Sequence, residues 1–241
     1  MELTVRQAAR LLGLSQRTVY RMVVRGELPA YQVHDEYRFN RTELLEWALA
    51  NRVSALDAIL EENVPEGGPA LPTLGEALAA GGIVYDLEGA DKPSALKALV
   101  RALPLPENVD RELLLRVLIA REALGSTGMG GGVAVPHVRN PIVLRVPAPQ
   151  VTLGFLAKPI DFQALDGKPV FALFSLVSPT VRTHLHLLSR LGFALQDAEL
   201  KALLDRRGRP EEIAAAIRRI EAEIAARAAA GPAGADEVDG L

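Results

Sequence analysis

Cysteine is absent from the 241-residue sequence, and its absence excludes disulfide bridges and thiolate metal sites. No apolar run approaches the roughly 18 residues that a membrane-spanning helix needs, and the N-terminal stretch MELTVRQAAR lacks the apolar core of a signal peptide. Aromatic residues make up only 5% of the chain, and the formal net charge is −3, which argues against a general polyanion binder. We therefore expect a soluble, cytoplasmic protein without membrane insertion.

A break in the sequence pattern divides the chain into two domains. The stretch VPEGGPALP at positions 64–72 interrupts all periodicity with prolines and glycines, and this composition predicts a linker. Together with the helical stretch before it, the linker spans residues 54–72. We predict one domain over residues 1–53 and a second over residues 73–228. The small, acidic residues 229–241 predict a disordered tail.

The first domain begins with two short predicted helices. Thr4 is placed to cap a helix that stops at Gly13, and Ser15 is placed to cap a second helix over residues 16–25 that stops at Gly26. Two short helices joined by a glycine-containing turn form a helix-turn-helix unit. Two alternating runs around a polar turn, within residues 31–39, then predict a β-hairpin, and a further helix follows.

The pattern LTVRQAARLLGLSQRTVYRMVVRGELPAYQV, followed by YRFNRTELLEWA, resembles the excisionase-type, MerR-like winged helix-turn-helix domain. The resemblance covers residues 1–53. It implies binding to double-stranded DNA, with the helix over residues 16–25 in the major groove and the hairpin as a wing. The candidate contacts are the polar side chains of that helix and of the wing: Gln16, Arg17, Thr18, Tyr20, Arg21, Arg25 and Arg38.

The charge of this domain supports DNA binding only moderately. Its eight arginines face six carboxylates, a formal net charge of about +2. Phosphate contacts supply affinity, while Gln16, Arg17 and Tyr20 could reach base edges. Because modules of this kind usually work in pairs, we expect a homodimer. The alternative is that the arginines form the solvated faces of a protein-binding module.

The second domain alternates helical patterns with buried apolar strands, near residues 83–87, 133–135, 151–156 and 170–177. This alternation predicts an α/β layered fold with helices on both faces of the sheet. The helix over residues 110–123 is strongly amphipathic. Its predicted core side chains are Leu113, Leu114, Val117, Leu118 and Ala120.

The segment REALGSTGMGGGVAVPH, which ends at His137, resembles the signature of the fructose/mannitol-type enzyme IIA domain of the phosphotransferase system, including its nitrogen-regulatory branch. The segment HLHLLSRL resembles the second histidine segment of that family. The resemblance extends over residues 73–228 and implies an α/β domain with a mixed sheet flanked by helices. It also implies a phosphohistidine intermediate, no cofactor, and a histidine phosphocarrier protein as the phosphoryl donor.

The resemblance implies a role for each of four residues. His137 is the phosphoryl acceptor, Arg121 supplies a guanidinium to the site, His184 is the supporting histidine, and Thr127 has a helper role. The chemistry is consistent, since a neutral imidazole is a nucleophile near pH 7, and backbone N–H groups in a glycine-rich loop or an arginine fork can stabilise a phosphoryl group.

The histidines and the residue after His137 also bear on other assignments. His184 and His186 are two residues apart and so face different sides of a helix; the register of the motif favours His184 as the site residue. A zinc site would need two helix ligands at i,i+4 spacing and a third partner, and the sequence offers neither. Val138 departs from the family, which usually has glycine after its histidine, and a β-branched residue there could narrow access for the donor protein.

Three functions follow from the combination of domains. The first is a DNA-binding regulator whose enzyme-IIA-like domain is phosphorylated on His137 and couples that state to DNA binding. The second is a carrier that passes the phosphoryl group to a sugar-transport subunit. The third, motivated by Val138, is a degenerate domain that binds a ligand or partner without phosphorylation. We favour the first, because the sequence encodes no membrane or sugar-translocating part.

Overall fold

The computed structural model describes residues 2–33, 36–51, 70–138 and 146–230. The turn of the wing, most of the predicted linker and nearly all of the predicted tail lie outside these ranges. Within the described ranges, no helix is long and apolar enough to cross a membrane.

In its described residues, the N-terminal domain has three helices and a small antiparallel sheet. The helices are α1 (Val5–Leu12), α2 (Gln16–Val24) and α3 (Arg41–Ala50), and the strands are β1 (Glu2–Thr4), β2 (Tyr31–Val33) and β3 (Glu36–Asn40). The Thr4 and Ser15 side chains accept hydrogen bonds from the first turns of α1 and α2, as predicted, and Gly13 ends α1 in the left-handed conformation. The sequence pattern did not predict β1, which pairs with β3.

The C-terminal domain contains six described helices and five described strands. The helices are α4 (Leu74–Gly81), α5 (Lys92–Ala102), α6 (Arg111–Ala123), α7 (Val181–Ala194), α8 (Ala198–Asp205) and α9 (Pro210–Ala230). The strands are β4 (Ile83–Leu87), β5 (Gly128–Gly130), β6 (Val133–Ala134), β7 (Gln150–Ile160) and β8 (Val170–Val177). The last helix thus extends slightly into the segment predicted to be a disordered tail.

The five strands form one mixed sheet in the order β4-β7-β8-β6-β5. The apolar strands β7 and β8 are its antiparallel centre, and β4 and β6 lie parallel to β7 and β8, respectively. Helices flank this sheet, and the predicted α/β class is confirmed. Buried apolar residues form two clusters.

The direction of β6 and β8 brings two segments to one edge of the sheet. These strands are parallel, so their carboxyl ends lie at the same edge. The chain leaving β6 reaches His137, which forms an isolated parallel bridge with Leu176 of β8. The chain leaving β8 enters α7, which is capped by Thr180 and contains His184 in its first turn. The topology therefore places both histidine segments together.

Helix α3 links the two domains. It packs against α7 and β5 of the C-terminal domain as well as against β3 of its own domain. The buried α3 residues Leu44, Leu45 and Ala48 belong to the same continuous apolar cluster as Leu185 and Leu188 of α7. The helix-turn-helix domain thus contacts the elements that surround the histidine segments.

Candidate functional site

Two buried imidazole rings form the centre of the site. The ring centroids of His137 and His184 lie 5.4 Å apart, with the ring planes tilted by 40°. His137 is 3% exposed and His184 is fully buried. The structure therefore brings together the two histidines that the sequence motifs predicted to act together, although they are separated along the chain.

A backbone carbonyl fixes the tautomer of His137. Its Nδ1 lies 2.7 Å from the carbonyl oxygen of Val135. A carbonyl oxygen only accepts hydrogen bonds, so this contact requires a proton on Nδ1. In the neutral ring the lone pair is then on Nε2. Nε2 is therefore the basic nitrogen of the neutral ring.

Arg121 lies near the end of α6, where the glycine-rich segment begins. Its side chain is half-buried, and Nη1 donates a hydrogen bond to the carbonyl oxygen of Gly125 at 3.0 Å. This contact ties the guanidinium to the loop between α6 and β5. Its predicted part in binding a phosphoryl group stays a prediction.

Thr127 has a different environment from the one expected for a helper hydroxyl. Its hydroxyl donates to Oε2 of Glu122 at 2.7 Å, and its backbone N–H donates to the same oxygen at 3.0 Å. The hydroxyl proton is thus directed at a carboxylate of the protein. Oε1 of Glu122 accepts a hydrogen bond from Nζ of Lys92 at 2.9 Å. Sequence reasoning missed Glu122, although it lies beside Arg121 within the quoted motif.

The glycine-rich segment forms a hairpin at the sheet edge, with β5 pairing antiparallel to β6. Gly131 and Gly132 both have positive φ angles, which glycine adopts at little cost. The N–H groups of Gly128 and Gly131 donate to Oγ of Ser126 and to Oδ2 of Asp166. These two N–H groups are therefore directed at side chains of the protein, and the predicted part of the glycine-rich loop in binding a phosphoryl group stays a prediction.

The predicted DNA-contacting side chains lie mostly on the surface of the N-terminal domain. Gln16, Arg17, Tyr20, Arg21 and Arg25 are exposed, and on the inner side of α2 Val19 is fully buried.

Two of the seven candidates are partly buried and bonded within the domain. Thr18 shares a hydrogen bond with Ser15, and Arg38 pairs with Glu36 at 2.7 Å on the wing. A phosphate would have to compete with Glu36 for Arg38.

Comparison with known proteins follows the same division of the chain. Residues 76–220 match the family model of the phosphoenolpyruvate-dependent sugar phosphotransferase system, EIIA 2. The chain belongs to this family. Residues 2–52 match a helix-turn-helix domain model, so an EIIA 2 domain and a helix-turn-helix domain are joined in one chain, as predicted.

Individual relatives of the EIIA 2 domain are of two kinds. The nitrogen regulatory protein of Pseudomonas aeruginosa is 36% identical over 132 residues, which are 53% of this chain and 83% of that protein. The fructose-specific EIIABC component of Bacillus subtilis is 29% identical over 54% of this chain and 20% of its own length. The crystal structure of nitrogen regulatory protein IIA-Ntr from Neisseria meningitidis is 32% identical and has a TM-score of 0.52, covering 60% of this chain and 98% of that chain.

The side chain of Val138 lies in the core of the domain, and not at the surface where it was expected to obstruct a docking protein. Its side chain is 1% exposed and belongs to the buried apolar cluster that also contains Leu173 and Val177 of β8. A side chain in the core of the EIIA 2 domain does not project toward a docking protein. The expectation that Val138 narrows access is therefore wrong in its physical premise.

His186 lies on the opposite side of α7 from the His137–His184 pair. Its Nε2 is 3.1 Å from the carbonyl oxygen of Pro72. Burial, together with the neighbouring charges of Arg190 and Arg182, lowers the pKa of His186 from 6.5 to about 4, although the hydrogen bond to Pro72 acts in the opposite direction. This imidazole is neutral near pH 7 and contacts the segment that enters the EIIA 2 domain. Among the described residues, no group of three or more potential ligands could hold a metal ion.

Proposed function

We propose that this protein is a DNA-binding regulator in which Nε2 of His137 accepts a phosphoryl group from a histidine phosphocarrier protein. The observation that carries this proposal is the hydrogen bond between Nδ1 of His137 and the Val135 carbonyl, 2.7 Å long. It leaves the Nε2 lone pair for attack. In the transfer, that lone pair forms an N–P bond while the N–P bond of the donor breaks, and the released electron pair stays on the donor nitrogen. The Nδ1 proton stays on the ring of His137.

His184 and Arg121 are the residues proposed to support the phosphoryl group. The ring of His184 is adjacent to that of His137, in the first turn of α7. The N-terminal end of a helix favours negative charge. Arg121 is half-buried at the start of the motif, and a guanidinium binds phosphoryl oxygens through paired N–H donors. Thr127 acts on the site through Glu122 in this proposal, since its hydroxyl donates to that carboxylate.

The proposed regulation joins the two domains. We assign DNA binding to residues 1–53, the connection to residues 54–72 and phosphorylation to residues 73–228. A phosphoryl group adds about −1.5 to −2 charges near neutral pH. It would be added beside α7, the helix on which α3 of the helix-turn-helix domain packs. A change at His137 can therefore alter how the DNA-binding domain sits or dimerises.

The first experiment tests the acceptor residue. Full-length protein is incubated with phosphoenolpyruvate and the phosphocarrier proteins, and the added phosphoryl group is located by mass spectrometry. We expect one labile phosphoryl group in the wild type and none in His137→Ala. His186→Asn is the matched control, because it removes a histidine from the other side of α7 and should retain labelling. A wild type that is never labelled would favour the degenerate domain.

The second experiment tests the coupling to DNA. Duplexes selected from a random pool by the unphosphorylated protein provide the ligand. Their affinity is then compared for phosphorylated protein, unphosphorylated protein and His137→Ala at one fixed salt concentration. Equal affinities in all three states would refute regulation by phosphorylation.

A second candidate function is a carrier that passes the phosphoryl group to a sugar-transport subunit. The similarity to the fructose-specific EIIABC component of Bacillus subtilis favours it. Phosphorylated protein is mixed with the isolated acceptor domain of a fructose-type transporter, and transfer of the label is followed with time. Transfer at a rate comparable to that of a dedicated carrier would support this function, and retention of the label on His137 would exclude it for that acceptor.

A further inference from the structure

We infer that Glu122 is a positioning residue for His137, acting through Thr127 and Val135 and held in place by Lys92. This inference rests on the proposed phosphorylation of His137 and adds a determinant of its rate. Glu122 lies outside the pair of histidines and takes no part in the transfer itself.

The contacts of Glu122 begin a continuous chain of hydrogen bonds. Its side chain is 6% exposed and that of Lys92 is 17% exposed, and their charged atoms are 2.9 Å apart. The other carboxylate oxygen accepts both the N–H and the hydroxyl of Thr127. A buried carboxylate is stable only when it is paired and hydrogen-bonded, and each of its oxygens here has such a partner. Thr127 is therefore held through two separate atoms.

The chain continues from Thr127 to the nucleophile. The backbone N–H of Val135 donates to the carbonyl oxygen of Thr127 at 3.0 Å. The carbonyl oxygen of Val135 is the acceptor for Nδ1 of His137 at 2.7 Å. A displacement of Thr127 thus moves the peptide of the residue that fixes the ring and tautomer of His137. Glu122 controls the position of Nε2 without touching it.

Lys92 anchors the carboxylate of Glu122 to another helix, α5. Lys92 is the first residue of α5, and its Nζ also donates to Oε1 of Gln163 at 3.1 Å and lies 5.2 Å from the ring centre of Phe162. The Lys92–Glu122 pair therefore connects α5, α6 and the start of the glycine hairpin. A misplacement of about 1 Å at a reacting group can cost roughly a hundredfold in rate. Loss of the Lys92–Glu122 pair should therefore slow the phosphorylation of His137.

The test uses the full chain with both charges removed, K92M/E122Q, so that no unpaired charge is left buried. The fraction of His137 with its proton on Nδ1 is measured from imidazole ¹⁵N chemical shifts, and phosphorylation by the phosphocarrier protein is followed at several donor concentrations. We expect a mixture of tautomers and a maximal rate lowered roughly tenfold to a hundredfold, with an unchanged KM for the donor.

Ser126→Ala is the matched control. Ser126 holds the same loop, donating to the Phe162 carbonyl and accepting from the N–H of Gly128, but it lies outside the chain of bonds that leads to Val135. Its removal should lower stability without changing the tautomer of His137, and the rate should stay within about twofold of wild type.

Three outcomes would overturn the inference: a wild-type tautomer in folded K92M/E122Q, a changed tautomer with an unchanged rate, or an equal tautomer change in Ser126→Ala. If K92M/E122Q does not fold, Thr127→Val replaces it, because that variant removes only the hydroxyl bond to Glu122. A smaller shift of the tautomer is then expected, and no shift would refute the inference. The tautomer is measured without any donor, so failure of wild-type phosphorylation refutes the proposed function separately.

Discussion

Replacement of Leu45 by alanine should shift the two domains toward separation without unfolding either. The direction of Leu45 follows from its neighbour Trp47, whose indole N–H donates to the Glu27 carbonyl within the helix-turn-helix domain. At 3.6 residues per turn, side chains two positions apart point about 160° away from each other. Leu45 is nevertheless 1% exposed. Because α3 packs on α7 and β5, we assign the burial of Leu45 to the C-terminal domain.

The size of the effect follows from the burial of the side chain. Leu→Ala substitutions at buried sites cost about 2–5 kcal/mol. We expect a cost near the lower end for Leu45, because an interface between domains can relax around the missing side chain. A loss of about 2–3 kcal/mol shifts the equilibrium between docked and separated domains roughly 30- to 140-fold, since every 1.4 kcal/mol is tenfold. Amide hydrogens of α7 that exchange through domain separation should exchange faster by the same factor.

The matched control is Leu44→Ala, the same substitution at the preceding position. Leu44 is three residues before Trp47 and so lies on nearly the same face of α3, toward its own domain. It is fully buried, and its loss should destabilise the helix-turn-helix domain while leaving exchange in α7 unchanged. If Leu45→Ala instead destabilises the N-terminal domain and leaves α7 unaffected, the assignment of Leu45 to the interface is wrong. If phosphorylation acts through this interface, Leu45→Ala should also abolish the difference in DNA affinity between phosphorylated and unphosphorylated protein.

Three further predictions concern stability. The pKa of folded His186 is about 4, below the unfolded value of about 6.5, so the unfolded chain binds more protons between these values. The contribution of His186 to the free energy of unfolding should therefore fall by at most about 3 kcal/mol as pH drops from 6.5 to 4, and by less where solvent screens the ring. His186→Asn should remove this contribution in urea titrations. Val138→Ala should cost about 2 kcal/mol in the same titrations with phosphorylation within twofold of wild type; a faster reaction would revive the idea that Val138 obstructs docking. Gly132→Ala should cost at least about 1–2 kcal/mol in thermal unfolding, because φ is +78° and a Cβ would lie 2.3 Å from Cε1 of Phe171; an unchanged melting temperature would contradict this.

Helix ends were predictable because their signals are local. Thr4 and Ser15 each cap the helix that follows them, and a capping side chain needs only the backbone two or three residues away. The central strands were predictable for a related reason: a continuous apolar run such as residues 170–177 must be buried on both faces, and the middle of a sheet provides that burial. Strand β1 was missed because its three residues become a strand only through pairing with β3.

Helix α6 shows where periodicity fails. Its pattern predicted a core position for Ala120, but Ala120 is exposed, whereas Leu114 and Leu118 are buried as predicted. Glu122 is buried at 7% exposure, although a hydrophobicity pattern assigns a carboxylate to the solvent. Its charge is paired with Lys92, thirty residues earlier in the chain, and no periodicity within α6 contains that information.

The same reasoning explains which parts of the site the sequence could identify. His137 and His184 were identified because each belongs to a motif whose residues are neighbours in sequence. The contacts that set the tautomer and position of these rings join residues far apart in the sequence, or they involve backbone atoms that every residue has. The tautomer of His137 depends on the carbonyl of Val135, which any residue there would supply, and the place of that carbonyl depends on Thr127 and Glu122. Motifs therefore identify the proposed phosphoryl acceptor, whereas the chemical state of its ring is set by backbone atoms and buried charges whose roles emerge only in three dimensions.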